Sequence, residues 1–163
     1  MNNFLFYLSL FTVVMSIIDF SINKFYKKVW HKKSSKDKFL LIFYLLFHNA
    51  LYFCIYITLL FTIYYYKTIK IKYLFYYLAL LIMVPLHWLT NNNQCYFTVQ
   101  QNKLLEIRDD YGFRDPYLIF TNTHASGAGD MTLRDKFYYG YLISASIITA
   151  SMIVFKYYKI KII

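Results

Sequence analysis

Apolar residues fall along the chain in four long runs, separated by short basic segments and one long polar stretch. The first run, Phe4 to Ile22, is interrupted only by Asp19, and the second, Phe39 to Tyr66, carries His48 and Asn49. The third, Tyr73 to Leu89, contains Pro85 and His87, and the fourth runs from Phe137 to Phe155. Each run is at or near the roughly 18 to 20 residues that an α-helix needs to cross a bilayer. The pattern predicts an all-α protein, an integral membrane bundle of four transmembrane helices over 4–22, 39–66, 73–89 and 137–155. One membrane domain over 1–163 is expected, with polar loops at 23–38 and 90–136. The second run is longer than a span requires, so it should tilt or project past the bilayer. Pro85 lacks an N–H and should kink the third helix near its end.

Composition narrows the class further. Of 163 residues, 59% are hydrophobic and only 16% charged, where a soluble domain carries about 25% charge. That excludes a soluble enzyme, a disordered chain and a collagen-like repeat. The two cysteines, Cys54 and Cys95, are too few for a disulfide framework and form no C-x-x-C pair. The excess of Tyr, Phe, Ile, Lys and Asn is what AT-rich codons encode and reads as genome composition, compatible with a virus, a protist or an organelle.

Charge sets the expected threading. Residues 1–3 hold no Lys or Arg, and seven lysines follow the first run instead (Lys24, Lys27, Lys28, Lys32, Lys33, Lys36 and Lys38). That arrangement fits an uncleaved anchor with a translocated amino end. The loops 23–38 and 90–136 together carry 12 basic residues, against 6 in the turn 67–72 and the tail 156–163. The positive-inside rule therefore places both long loops inside and both termini on the non-cytoplasmic side. Tyr64 to Tyr66 with Tyr73, Tyr76 and Tyr77 on one side, and Trp30 and Trp88 on the other, stand where interfacial aromatic belts occur.

Candidate chemistry is sparse. Small residues that permit close helix approach recur four apart in the last run, as Gly140 and Ser144, Ala145 and Thr149, and Ser146 and Ala150. The fourth helix is thus the expected packing element or contact between copies. Asp19, His48, Asn49, His87 and Asn91 fall in or at the edge of the inner half of the spans, with His48 about 13 Å deep by helical rise. Such residues suggest a proton relay or a polar-substrate site. The alternative is interhelical hydrogen bonding, with Asp19 reaching toward the interface. His87, Asn91 and Cys95 at i, i+4, i+8 supply two good ligands and no acidic partner, so no metal is assigned and no cofactor is expected.

The segment from His87 to Thr98 reads HWLTNNNQCYFT. It resembles a His-Trp-x-x-Asn-Asn-x-x-Cys-x-x-Thr pattern of small uncharacterised multi-pass membrane proteins of large double-stranded DNA viruses. The likeness covers about a dozen residues, with Phe97 where that group has Leu and Gln100 and Gln101 where it has a Glu. It implies a membrane location and no catalytic role. Beyond it, Leu104, Leu105 and Ile107 suggest a short amphipathic helix on the membrane surface. Ser126 to Asp130 has glycines but no following Lys, so it is read as a turn and not a phosphate loop. His124 and Ser126 alone make no catalytic triad.

The lysines of loop 23–38 set topology and are positioned to attract anionic lipid headgroups, while no nucleic-acid partner is expected. The leading expectation is a non-enzymatic membrane protein, a structural or scaffold component of a viral membrane or large membrane complex, associating with other membrane proteins or with itself. The rivals are an accessory subunit of an organellar respiratory assembly, and a small transporter or membrane enzyme using Asp19, His48 and His87.

Overall fold

A computed structural model describes residues 2–91, 95–107 and 133–158. Every regular element among the described residues is helical. In order these are α1 (Asn2–Ile22), α2 (Lys24–Val29), a 3-10 turn (Trp30–Lys32), α3 (Ser35–Tyr52), a π-helical segment (Phe53–Ile57) and α4 (Thr58–Tyr64). Then follow α5 (Ile71–Thr90), α6 (Tyr96–Leu105) and α7 (Leu133–Tyr157). Four stretches are long and apolar enough to cross a membrane: Phe4–Ile22, Ser35–Tyr64, Ile71–Thr90 and Tyr138–Tyr157. The second has 30 residues, about 45 Å of helix against a hydrocarbon core of about 30 Å. The third continues through Pro85 to Thr90. There the Thr90 hydroxyl donates to the Leu86 and His87 carbonyls at 3.0 and 3.1 Å, occupying acceptors that the helix end leaves open.

The chain divides into two compact units, residues 1–54 with 91–130, and residues 55–90 with 131–163. In the first, α1 packs on α3, and both α3 and α2 receive α6. Asn23 adopts an extended conformation that ends α1, and its side chain accepts from the Phe25 amide at 3.0 Å, which starts α2. Ser34 does the same for α3, accepting from the Asp37 amide at 3.2 Å while its hydroxyl donates to the Asp37 carboxylate at 2.9 Å. Tyr26, Val29, Leu41, Leu45 and Leu105 form the apolar core of this unit, flanked by Phe20, Phe25, Leu104 and Ile107.

In the second unit α5 packs along α7. Leu74, Tyr77, Leu81 and Val84 are buried on α5, and Leu142, Ala145, Thr149 and Met152 on α7. Both sets follow the alternating three-and-four spacing of a coiled-coil seam. Thr149 satisfies its own hydroxyl on the Ala145 carbonyl at 2.7 Å, so a polar residue enters the seam without an unmet donor. Among the small residues, Ala145 and Thr149 are buried, Ser146 and Ala150 half-buried, and Gly140 and Ser144 exposed.

This difference makes the seam testable. Ala145 is 1% exposed, so Ala145→Leu should cost about 1–3 kcal/mol through overpacking. A Cβ at Gly140 meets nothing within 4 Å, so Gly140→Ala should leave stability unchanged or slightly raised. Thermal unfolding of the two variants in detergent checks both outcomes.

Candidate functional site

The first unit contains an unusual amount of buried polar chemistry for a bundle of apolar helices. On α1 and the residue after it, Thr12, Ser16, Asp19 and Asn23 are all buried. Their spacing of i, i+4, i+7 and i+11 keeps them on one face. His48 and Asn49 are buried on α3, 4% and 0% exposed. Thr98, Gln101 and Asn102 are buried on α6. Asp19 is only 2% exposed; its carboxylate is enclosed within the unit and does not reach outward.

The hydrogen bonds join these faces. His48 Nδ1 lies 2.9 Å from the Tyr44 carbonyl, and His48 Nε2 lies 3.0 Å from Thr98 Oγ1. A carbonyl only accepts, so Nδ1 carries the proton, and the remaining Nε2 lone pair accepts from the Thr98 hydroxyl. On the same face of α6, the Gln101 amide donates to the Tyr26 hydroxyl. Asn49 Nδ2 donates to Ser16 Oγ at 3.1 Å and to the Leu45 carbonyl at 3.0 Å, tying α3 to α1. Among the described residues the buried Asn49 carbonyl oxygen has no hydrogen-bond partner, nor has the buried Thr12 hydroxyl.

At its C-terminal end α6 is held by charge. Glu106 takes a left-handed conformation, with φ of 56°, at a cost of about 1–2 kcal/mol for a residue with a Cβ. Its carboxylate accepts from Lys33 Nζ at 2.7 Å. That hydrogen bond, reinforced by the charges of Lys33, Lys32 and Lys28, holds the Glu106 carboxyl below its ordinary range.

In the second unit, polar groups serve the backbone. The π segment breaks the regular ladder, and its carbonyls take side-chain donors from other helices. Tyr77 donates to the Ile55 carbonyl at 2.6 Å, and Tyr141 lies 3.3 and 3.1 Å from the carbonyls of Ile55 and Tyr56. Lys156 donates to the Tyr66 carbonyl at 2.7 Å.

The structure therefore gathers Asp19, His48 and Asn49 into one unit, whereas His87, half-buried on α5, belongs to the other. Asn91 is a half-buried turn residue just beyond α5. The short helix expected near Leu104 and Leu105 exists, but its buried face is largely polar. Thr98, Gln101, Asn102 and Leu105 point inward at i, i+3, i+4 and i+7, and α6 packs on α3 and α2. That spacing was the available signal, hidden because polar residues occupy positions where apolar ones normally mark a buried face. Tyr26, also buried, lies among lysines whose pattern reads as solvated and so carries no sequence signal of its burial.

Cys54 and Cys95 are free and half-buried. Among the described residues no group of three or more His, Cys, Asp or Glu side chains could hold a metal ion. Asn92 and Asn93 of the Asn-rich turn, and the segment from His124 to Asp130, lie outside the described residues. Compared with known proteins, the chain matches no family model, no curated protein and no solved structure.

The Lys33–Glu106 pair generates a pH prediction. A carboxyl with a lowered folded pKa contributes stability that is present above its unfolded pKa and lost as pH falls through the folded one. Glu106→Gln should therefore loosen α6 at neutral pH, and the difference from the unaltered chain should shrink as pH falls through the ordinary glutamate range and vanish once the lowered Glu106 carboxyl is itself protonated. Limited proteolysis at the α6 boundary, compared at matched protease activity, checks the sign.

Proposed function

We propose that this chain is a multi-pass integral membrane protein with a structural, non-enzymatic role, a scaffold component of a viral membrane or of a large membrane complex. The observation carrying this reading is how its polar and apolar groups are distributed. His48 bonds its own helix through Nδ1 and α6 through Nε2, and the amide nitrogen of Asn49 bonds α1. The outward faces, by contrast, are apolar: Leu5, Phe6 and Ile17 on α1, Met83 and Leu89 on α5, and Ile143 and Ile147 on α7 are all exposed. Apolar surface that extensive calls for lipid or a protein partner.

In this reading the segment 23–38 and the stretch 90–136 face the cytoplasm, both termini face away from it, and Trp30 and Trp88 stand at the inner interface. The viral setting rests on the resemblance of residues 87–98. An accessory subunit of an organellar respiratory assembly fits the same features. One observation favours a transporter or membrane enzyme instead: the unpartnered Asn49 oxygen lies on the amide that bonds Ser16, one turn of α1 from Asp19. An acceptor so placed suits a proton donor, a water or a small cation.

Two measurements test the proposal. Alkaline carbonate washing should leave the chain in the membrane pellet, and release into the supernatant would contradict membrane integration. Asp19→Asn and His48→Gln should preserve biological activity wherever they preserve the amount of folded protein. Folded variants without activity would favour the transport or enzyme reading. For orientation, an impermeant thiol reagent added outside intact cells should fail to label Cys95, and labelling there would reverse the threading.

A further inference from the structure

The seven lysines of the segment 23–38 are not scattered around a solvated loop. Asn23 is the only residue between the apolar helix α1 and α2, so α2 starts where the first candidate span ends. Tyr26 and Val29 are 1% exposed and seat α2 in the unit's apolar core. Lys24, Lys27 and Lys28, at i, i+3 and i+4, are exposed and share the opposite face. Lys32 and Lys36, also exposed, extend this basic surface beyond the 3-10 turn. Lys28, Lys32 and Lys33 all act on the one Glu106 carboxylate, and Lys33 forms an ion pair with it. One negative charge faces three positive ones, so among the described residues the Glu106 carboxylate does not offset the positive charge gathered next to a span end.

We propose that the lysine face of α2, Lys24, Lys27 and Lys28 with Lys32 beside them, binds the headgroups of anionic phospholipids. The inference deepens the membrane-protein reading and depends on it. Three features make lipid the fitting anion. The face begins at the end of an apolar helix of span length, where headgroups lie. Its buried side fixes the helix, so the lysines are presented together without first ordering a loop. Lys28 and Lys32 retain charge that Glu106 does not neutralise. Attraction of this kind is worth about as much per lysine as any surface charge near an anionic leaflet, and weakens with salt.

The test uses the full chain, reconstituted in nanodiscs of phosphatidylcholine alone or containing phosphatidylglycerol, with thermal unfolding as the readout. Phosphatidylglycerol should raise the midpoint, and the rise should shrink as salt is added. The triple variant Lys24→Gln, Lys27→Gln, Lys28→Gln should lie close to the unaltered chain in phosphatidylcholine, because those side chains are exposed and Lys33, which forms the ion pair with Glu106, is kept. It should need on the order of tenfold more phosphatidylglycerol for the same rise.

An equal rise in the triple variant would overturn the placement. An equal rise on adding inorganic phosphate to phosphatidylcholine discs would make the surface a general anion site and overturn the lipid assignment. Stable reconstitution with no response to phosphatidylglycerol would sink the inference while leaving the membrane reading intact. Failure to enter phosphatidylcholine discs at all would sink both.

Discussion

A polar side chain enclosed among apolar helices must find its hydrogen-bond partner inside the protein, and that constraint organises the first unit. Losing water without replacing it costs about 1–3 kcal/mol per group, more than one interhelical hydrogen bond returns. His48 therefore fixes more than its own position. With its Nδ1 proton committed to the Tyr44 carbonyl, it presents an acceptor that Thr98 meets from α6. Asn49, on the adjacent position of α3, meets Ser16 of α1. Two consecutive residues of one helix thus address two different elements, and the apolar cluster around Leu41, Leu45 and Leu105 packs alongside.

The second unit answers the same constraint for the backbone. A π-helical segment opens the regular ladder, and the hydroxyls of Tyr77 and Tyr141 supply donors to the carbonyls of Ile55 and Tyr56. Ser146, Thr149 and Ser151 of α7 bond back to their own helix, at the carbonyls of Leu142, Ala145 and Ile147. The contrast is chemical. In the first unit polar groups join helices to one another; in the second most of the polar work maintains helical backbone, and apolar interlocking between α5 and α7 supplies the packing.

The four long helices were legible because a span-length apolar run has few other physical meanings. The run 4–22 matches the helical span Phe4–Ile22, and 73–89 lies within Ile71–Thr90. Boundaries at the second helix were less legible. Ser35 to Lys38 is polar enough to read as loop, yet Ser34 caps the Asp37 amide and bonds the Asp37 carboxylate, which begins the helix earlier. The π segment within Phe53–Ile57 left no trace in the apolar pattern, because it depends on tyrosines distant in sequence. Asp19, His48 and Asn49 could be singled out from cost alone, since polar groups in apolar runs are expensive. The partner of His48 on α6 could not, because Thr98 sits in a stretch whose polarity is ordinary for a loop. Only the tertiary contact shows that this polar face is turned inward.

His48 and Thr98 hold α6 on α3, and a double-mutant cycle measures that link most directly. His48→Ala, Thr98→Val and the double variant of the full chain would be compared by reversible unfolding in mixed micelles. The account predicts that the two losses do not add, with a coupling of about 0.6–1.7 kcal/mol, the range of hydrogen bonds between helices in membranes. Strictly additive losses would mean that the two side chains do not interact, and the polar anchoring of α6 would be contradicted.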